Sequence, residues 1–276
     1  MKITTLLENS ACREDVAHAH GLSQYIETAH HKILFDMGPD PAILDNAKTL
    51  GIDLSAVDTA VLSHGHDDHA GGLAAFLGGN AAAKAYLSRF ALGDYYALDA
   101  GKAPVFIGVP AEVKVFEDRL ILTGDQLRID DTLLLFSDVK TADLRSHAND
   151  KLREKQGEDF PMDEFRHEQN LLITENGRAV LLAGCAHRGI VNILRRSEEL
   201  LGRAPDAVFS GFHLHNPGTG EMEPRELVEA VGRELLSREN TVYYTGHCTG
   251  TAAFSVLKEQ LGDRLHAMPG GQTVEL

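Results

Sequence analysis

The sequence lacks the features that mark membrane-spanning and secreted proteins. No apolar run approaches the roughly 20 residues that a membrane-spanning helix needs. The first residues read as a strand, without the apolar core and small-residue cleavage site of a signal peptide. The chain has only three cysteines, an odd number that does not suit a disulfide framework. These absences predict a cytoplasmic protein that does not associate with a membrane.

Positive charge is also scarce. The chain has 26 Lys and Arg residues against 41 Asp and Glu residues, so its formal net charge is −15. No basic cluster is longer than Arg195-Arg196, whereas surfaces that bind nucleic acid concentrate basic side chains. This balance argues against a nuclease, and we expect no nucleic-acid partner.

The sequence does have a dense group of metal-ligand side chains. His64, His66, Asp68 and His69 lie within six residues, directly after the strand-like run 57–62. Alternate residues of an extended segment point to the same side, so His64 and His66 can reach one cation together. Asp68 and His69 lie past a tight turn and point elsewhere, toward a second cation. Two cations roughly 3.5–4 Å apart can clamp a reacting oxygen and lower the pKa of a bridging water.

Three more strand-like segments end in a glycine followed closely by a histidine. They lead to His187, His213 and His247. Glycine allows the backbone to approach a site closely, and one such histidine alone would be typical of a hydrogen-bonded loop. Three in matching contexts indicate a shared site. We predict His187 and His247 as metal ligands and His213 as a catalytic or substrate-binding residue, with metal ligation as the alternative.

Two cysteines and one aspartate lie beside these histidines. Cys185 is either a small buried hydrophobic residue or a thiolate ligand, and we include it among the predicted ligands because zinc accepts sulfur readily. Cys248 follows His247 and is predicted to support the site without binding metal. Asp36 ends the strand-like run Lys32–Phe35 and is predicted to orient the metal loop from behind.

Strands and helices are mixed along the chain, with no repeat and no low-complexity segment. Strands come first, a helix follows, and the order then recurs, which is typical of two sheets covered by helices on their outer faces. We predict an α/β fold in a single domain over residues 1–276. A polar stretch at about 138–168 is long for a structureless connection and is predicted to be lid-like over the site.

The motifs and their order resemble the metallo-β-lactamase superfamily. Leu-Phe-Asp-Met-Gly at residues 34–38 comes first, the histidine-rich segment 64–69 second, Gly-Cys-Ala-His at 184–187 third and Thr-Gly-His at 245–247 last. This resemblance implies an αβ/βα sandwich, in which two mixed sheets carry helices on their outer faces. It also implies a metal site at the edge between two similar halves.

A narrower set of segments resembles the subgroup named for 7,8-dihydropterin-6-methyl-4-(β-D-ribofuranosyl)aminobenzene-5′-phosphate synthase. These segments are residues 21–23, 46–47, 50–51, 63–66, 184–192, 212–214 and 246–250. In most of the superfamily, an Asp in a strand–Gly–Asp–Thr turn bridges the two metals, and this chain lacks that Asp. Cys185 stands at that position, which leaves open whether the site holds one divalent cation or two.

The resemblance implies two ligand sets. One metal would be held by His64, His66 and His187, and the other by Asp68, His69 and His247. Histidine ligands with a thiolate favour zinc, and manganese and iron are the alternatives.

Three functions are compatible with this site. The first is a metal-dependent hydrolase that uses metal-activated water on an ester, phosphoester or related small molecule. Asp68 would be its general base, and Arg188 and His213 would contact an anionic substrate group. The second, implied by the subgroup, is a synthase that condenses a pterin-like substrate with a ribofuranosyl-aminobenzene phosphate. The third is a non-catalytic metal-binding sensor. We expect an anionic small-molecule substrate and, by default, a homodimer.

Overall fold

Two seven-stranded sheets form the frame of the protein in the computed structural model, which describes residues 1–98 and 101–276. In spatial order, the first sheet contains β19 (Thr273–Glu275), β1 (Lys2–Leu7), β2 (Ser23–Glu27), β3 (Lys32–Phe35), β4 (Thr59–Val61), β5 (Lys84–Ser88) and β8 (Leu120–Thr123). The second sheet contains β18 (Leu265–Ala267), β17 (Val242–Thr245), β14 (Ala207–Phe209), β13 (Arg178–Leu182), β12 (Asn170–Glu175), β10 (Leu133–Phe136) and β9 (Gln126–Arg128).

Each sheet is antiparallel on one side and parallel on the other. In the first sheet, neighbours from β19 to β3 are antiparallel and neighbours from β3 to β8 are parallel. In the second, neighbours from β9 to β13 are antiparallel and neighbours from β13 to β18 are parallel. Because parallel strands end at the same edge of a sheet, the loops that follow them converge there.

Strand β3 shows why helices are needed outside the sheets. Its side chains alternate between the two faces, so Ile33 and Phe35 pack between the sheets while Leu34 packs toward the outer face. Strand β13 repeats this arrangement, with Leu182 between the sheets and Leu181 on the outside. Both faces of each sheet are therefore apolar, and the outer face must be covered by other elements.

Helices provide this cover. The first sheet packs against α1 (Ala42–Thr49) and α3 (Leu73–Gly79), and the second packs against α4 (Ile190–Leu201), α5 (Arg225–Leu236) and α6 (Thr251–Leu261). A shorter helix, α2 (Asp67–Ala70), carries part of the histidine-rich segment. Short 3-10 segments lie at Leu54–Ala56, Ala111–Arg119, His147–Lys151, His247–Thr249 and Gly262–Arg264. The arrangement confirms the predicted αβ/βα sandwich.

Two small sheets complete the fold. One contains β6 (Tyr95–Ala97), β7 (Val105–Phe106) and β11 (Leu152–Glu154), and the other contains β15 (His215–Asn216) and β16 (Glu221–Met222). The polar stretch 138–168 is therefore partly regular, since it holds β11 and the 3-10 segment before it. In the described part of the chain, no helix has the length and apolar character that crossing a membrane requires.

Candidate metal centre

The candidate site lies where loops from the parallel halves of the two sheets meet. The histidine-rich loop follows β4, and its His66 is still extended at the point where α2 begins. Cys185 and His187 follow β13, His213 follows β14, and His247 follows β17. All these side chains are buried, so the fold brings together the strand-end residues that the sequence analysis singled out.

A first group combines residues from three loops. The ligand atoms of Asp68, His69, Cys185 and His247 all lie within 4.8 Å of one another. His69 Nε2 is 3.2 Å from Cys185 Sγ and 3.2 Å from His247 Nε2, and His247 Nε2 is 3.2 Å from Asp68 Oδ2. Imidazole, carboxylate and thiolate groups are ligands that zinc takes in proteins.

A second group lies next to the first. His64 forms one cluster with Cys185 and His187 and another with His66 and Asp68. The Nε2 atoms of His64, His66 and His187 are buried without a hydrogen-bond partner among the residues that the structure describes. A buried polar atom without a partner costs about 1–3 kcal/mol, so three together need a common explanation. A divalent cation that accepts their lone pairs supplies one, and the residues fit such a cation.

Burial sets the protonation of these imidazoles. Desolvation, together with the neighbouring His167, lowers the pKa of His66 to about 3, and burial holds the pKa of His64 well below its usual value. These rings are therefore neutral, which is the form that binds metal. For His69, burial is outweighed by the Asp68 and Asp36 carboxylates, which raise its pKa to about 9.

Asp68 is held ionised. Burial opposes its charge, but His69 and His247 outweigh that effect and hold the pKa of this carboxyl well below its usual value. A general base works best when its pKa lies near the operating pH. The position of Asp68 therefore supports a ligand role more strongly than the general-base role, which stays a prediction.

The buried Asp36 carboxylate orients two of the histidines. Its Oδ2 accepts hydrogen bonds from the Ser63 hydroxyl (2.7 Å) and from His69 Nδ1 (2.6 Å). Because the Ser63 hydroxyl donates to Asp36, its oxygen accepts from His64 Nδ1, 2.8 Å away. Both rings thus carry a proton on Nδ1 and direct Nε2 into the site, where a cation would replace the second proton that His69 holds in its absence. This geometry is the one expected of the orienting role predicted for Asp36.

Three further orienting contacts were not predicted from the sequence. Asn9 Oδ1 lies 2.8 Å from His247 Nδ1, and the Glu8 carboxylate accepts a hydrogen bond from the His247 amide. Asn149 Oδ1 lies 2.9 Å from His187 Nδ1. Glu8 and Asn9 directly follow the apolar strand β1, the same strand-end context as the predicted ligands, and this was the available signal.

Behind the ligand loops, His167 and Glu168 hold the backbone. His167 Nδ1 accepts from the Gly65 amide (3.0 Å), and its Nε2 is 2.8 Å from Asp163 Oδ2. Glu168 accepts hydrogen bonds from the amides of His187 (2.6 Å) and the next residue (3.0 Å), and burial raises the pKa of its carboxyl. Both residues therefore support the metal loops.

A cavity of about 170 Å³ opens above the ligand groups. Its floor consists of site residues: His66, Asp68, Cys185, His187, His213, His247 and Cys248. Its walls are largely apolar and include Ala97, Ile107, Leu152 and Pro217. The cation Lys151 also lines it, with Nζ 2.8 Å from Asn216 Oδ1. Lys151 and Leu152 belong to the stretch 138–168, so this stretch forms part of the cavity wall, and its lid-like role stays a prediction.

Arg188 lies elsewhere. Its guanidinium donates to the backbone carbonyls of Glu164 (2.8 Å) and Val139, and it is not among the described residues that line the cavity. This placement argues against the substrate-binding role predicted for Arg188. The reason is that the stretch 138–168 folds over the loop after β13 and takes up the guanidinium with its own carbonyls.

Comparisons with known proteins agree with this architecture. Residues 20–91 match the sequence model of the metallo-β-lactamase superfamily. The chain is 27% identical to 7,8-dihydropterin-6-methyl-4-(β-D-ribofuranosyl)-aminobenzene-5′-phosphate synthase of Methanocaldococcus jannaschii, over 97% of this chain and 95% of that protein. It is 26% identical to an uncharacterized protein of the same organism, over 93% of this chain and 94% of that protein.

A solved structure shows the same fold. It is described as a metal-dependent hydrolase of the β-lactamase superfamily, and it matches with a TM-score of 0.82 and 24% identity over 100% of this chain and 99% of that chain. The sequence match covers the histidine-rich loop, and the fold match covers the strands that bring the remaining site residues to it. The chain therefore has the metallo-β-lactamase fold, and its histidine-rich loop lies within the part of the sequence that matches the superfamily model.

Proposed function

We propose that the protein is a metal-dependent hydrolase of an anionic small-molecule ester, phosphoester or related substrate. The observation that carries the proposal is the set of buried Nε2 atoms that have no hydrogen-bond partner among the described residues, beneath a cavity whose wall includes the cation Lys151. His64, His66 and His187 would hold one divalent cation, and Asp68, His69, Cys185 and His247 a second. This donor set favours zinc.

When bound, the cations would polarise a substrate oxygen and lower the pKa of a water molecule. The chain itself positions the substrate. Lys151 would bind the anionic group, and the apolar walls formed by Ile107 and Leu152 would exclude bulk water from it. Buried in the floor, His213 has two ring nitrogens without partners among the described residues. We propose that one of them donates a hydrogen bond to the substrate.

Hydrolysis is tested with metal-stripped and zinc-loaded protein on chromogenic phosphomonoesters, phosphodiesters and carboxylic esters. We expect turnover only with metal, and we expect His66→Ala to abolish it. His30→Ala is the matched control, because His30 is exposed, lies between β2 and β3 and is not among the described residues that line the cavity. Equal turnover in metal-stripped and loaded protein would exclude the proposal.

A synthase is the second candidate, favoured by the similarity to the dihydropterin-related synthase over 97% of the chain. Both reactions need the same cations as Lewis acids, so the site alone does not separate them. Incubation of a pterin-like alcohol with a ribofuranosyl-aminobenzene phosphate distinguishes them. A product with the summed mass of both reactants minus water supports the synthase, and recovery of both unchanged counts against it.

The sensor hypothesis rested on the missing bridging Asp. The Cys185 sulfur lies 3.2 Å from His69 Nε2 and belongs to clusters with His64 and His247. We propose that this thiol takes the place of the Asp between the two ligand sets.

A further inference from the structure

Three neighbouring parallel strands of the second sheet end in soft donor groups. Strands β13, β14 and β17 pair side by side in parallel, so the loops that follow them leave the same edge. These loops carry Cys185, His213 and Cys248, which are 3%, 6% and 5% exposed. The two sulfurs and a His213 ring nitrogen lie within 4.8 Å of one another. The hydrolase proposal uses Cys185 but has no use for Cys248.

The surroundings of Cys248 are built for its sulfur. The His213 amide donates a hydrogen bond to Cys248 Sγ at 3.3 Å, and the Cys248 thiol donates to the Cys185 carbonyl at 3.6 Å, a proton that a bound cation would replace. Gly211 makes room, because a Cβ at that position would lie 2.5 Å from the same sulfur. The close approach therefore requires glycine there.

The His213 ring points to a missing ligand. Both Nδ1 and Nε2 are buried and have no hydrogen-bond partner in the described part of the chain. One substrate contact would use only one of them. The other nitrogen lies in the cluster with the two sulfurs, where the described groups offer it no hydrogen-bond partner.

We propose that Cys185, His213 and Cys248 form a third cation position, rich in sulfur, which takes a soft divalent cation such as Zn²⁺ or Cd²⁺. It adjoins the two histidine-rich positions and shares Cys185 with them. Thiolates select soft metals, and three protein ligands leave one coordination position open. The third position shares Cys185 and His213 with the proposed hydrolase site, but it does not depend on hydrolysis, because all three of its ligands lie on loops that follow strands of the second sheet.

The test is a Cd²⁺ titration of metal-free protein, kept reduced by a phosphine so that the two thiols do not form a disulfide. Native mass spectrometry counts bound cations, and ultraviolet absorption measures thiolate-to-metal charge transfer. We expect Cys248→Ser to bind one cation fewer than wild type and to lose about half of the charge-transfer band, because one of two thiolate ligands is removed.

Two further variants keep the test decisive. Cys12→Ser, which removes the exposed cysteine, should match wild type in stoichiometry and absorption. His213→Gln should also bind one cation fewer, and it tests the site even if Cys248→Ser does not fold. The proposal is overturned if folded Cys248→Ser and His213→Gln both bind as many cations as wild type. A changed band with unchanged stoichiometry also overturns it, because Cys248 would then bind one of the two cations already assigned.

The experiments distinguish failure of this proposal from failure of the hydrolase proposal. His66 is outside the sulfur cluster, so His66→Ala should lose hydrolysis and keep the charge-transfer band. Absent hydrolysis in wild type with a Cys248-dependent band would reject the hydrolase and retain the third position.

Discussion

Replacement of Asp36 by Asn tests whether this buried carboxylate determines the tautomer of His69. The carboxylate accepts three hydrogen bonds, from the Ser63 amide (2.7 Å), the Ser63 hydroxyl (2.7 Å) and His69 Nδ1 (2.6 Å). An Asn side chain has one oxygen acceptor and an NH₂ group that only donates. If the Asn oxygen still accepts the hydrogen bond from the Ser63 amide, the Asn NH₂ group faces the Ser63 hydroxyl and His69 Nδ1.

The two neighbours respond differently. The Ser63 hydroxyl can rotate and accept a hydrogen bond, but His69 Nδ1 can accept only if the ring proton moves to Nε2. Nε2 is the atom 3.2 Å from Cys185 Sγ and from His247 Nε2, so the proton would occupy the ligand position. Orienting partners of metal-bound histidines contribute about 10–100-fold to affinity, which corresponds to about 1.4–2.8 kcal/mol.

The assay is a Zn²⁺ titration of metal-free protein against a chromophoric chelator near neutral pH. Asp36→Asn should bind zinc about 10–100-fold more weakly than wild type. Asp45→Asn changes an exposed carboxylate on α1 and should bind as wild type does. Circular dichroism establishes that both variants are folded. Wild-type affinity in folded Asp36→Asn would refute the role of Asp36 in setting the tautomer.

Three further predictions concern the cavity, the metal and pH. Lys151→Ala should raise KM for an anionic substrate with little change in kcat, whereas exposed Lys140→Ala should change neither; an unaltered KM in steady-state assays would exclude Lys151 as the anion contact. Zinc at 100-fold above its dissociation constant should stabilise the fold by about 2.7 kcal/mol, and an unchanged melting temperature after chelation would contradict a folded-state metal site. His31 is buried in part, but its hydrogen bonds with Asp58 and Asp130 outweigh this and raise its pKa. Its stabilising contribution should be complete below the usual histidine pKa of about 6.5 and disappear as pH rises through the raised value. His31→Asn should remove that slope from melting temperatures measured against pH, and an unaltered slope would assign it to other groups.

The local sequence pattern was sufficient to predict the helices and loops that depend on interactions between neighbouring residues. The sequence predicts helices near residues 190–201 and over residues 251–261, which are the ranges of α4 and α6, and the histidine-rich loop follows β4 as predicted. Strands β6, β7 and β11 were not predicted, because each is short and β11 pairs with a strand more than fifty positions earlier in the chain. Such a pairing leaves almost no periodic signal in a three-residue segment.

In the site, too, some features were predictable from the sequence and others depended on contacts between distant residues. The sequence by itself determined which side chains can bind metal, since imidazole, carboxylate and thiolate groups at strand ends are a chemical property of the residues. Only the tertiary structure decided which ring nitrogen of His69, His247 and His187 faces the site, because their Nδ1 atoms are engaged by Asp36, Asn9 and Asn149, which are distant in sequence.

The tertiary structure also determined which of two basic side chains, Arg188 or Lys151, lies at the cavity. Arg188 follows a predicted ligand directly and Lys151 lies in a polar stretch without periodicity, so sequence position favoured Arg188. The folded chain directs the Arg188 guanidinium to backbone carbonyls and brings Lys151 to the cavity wall. The orientation of a long, charged side chain depends on which acceptors surround it after folding, and those acceptors come from distant parts of the chain.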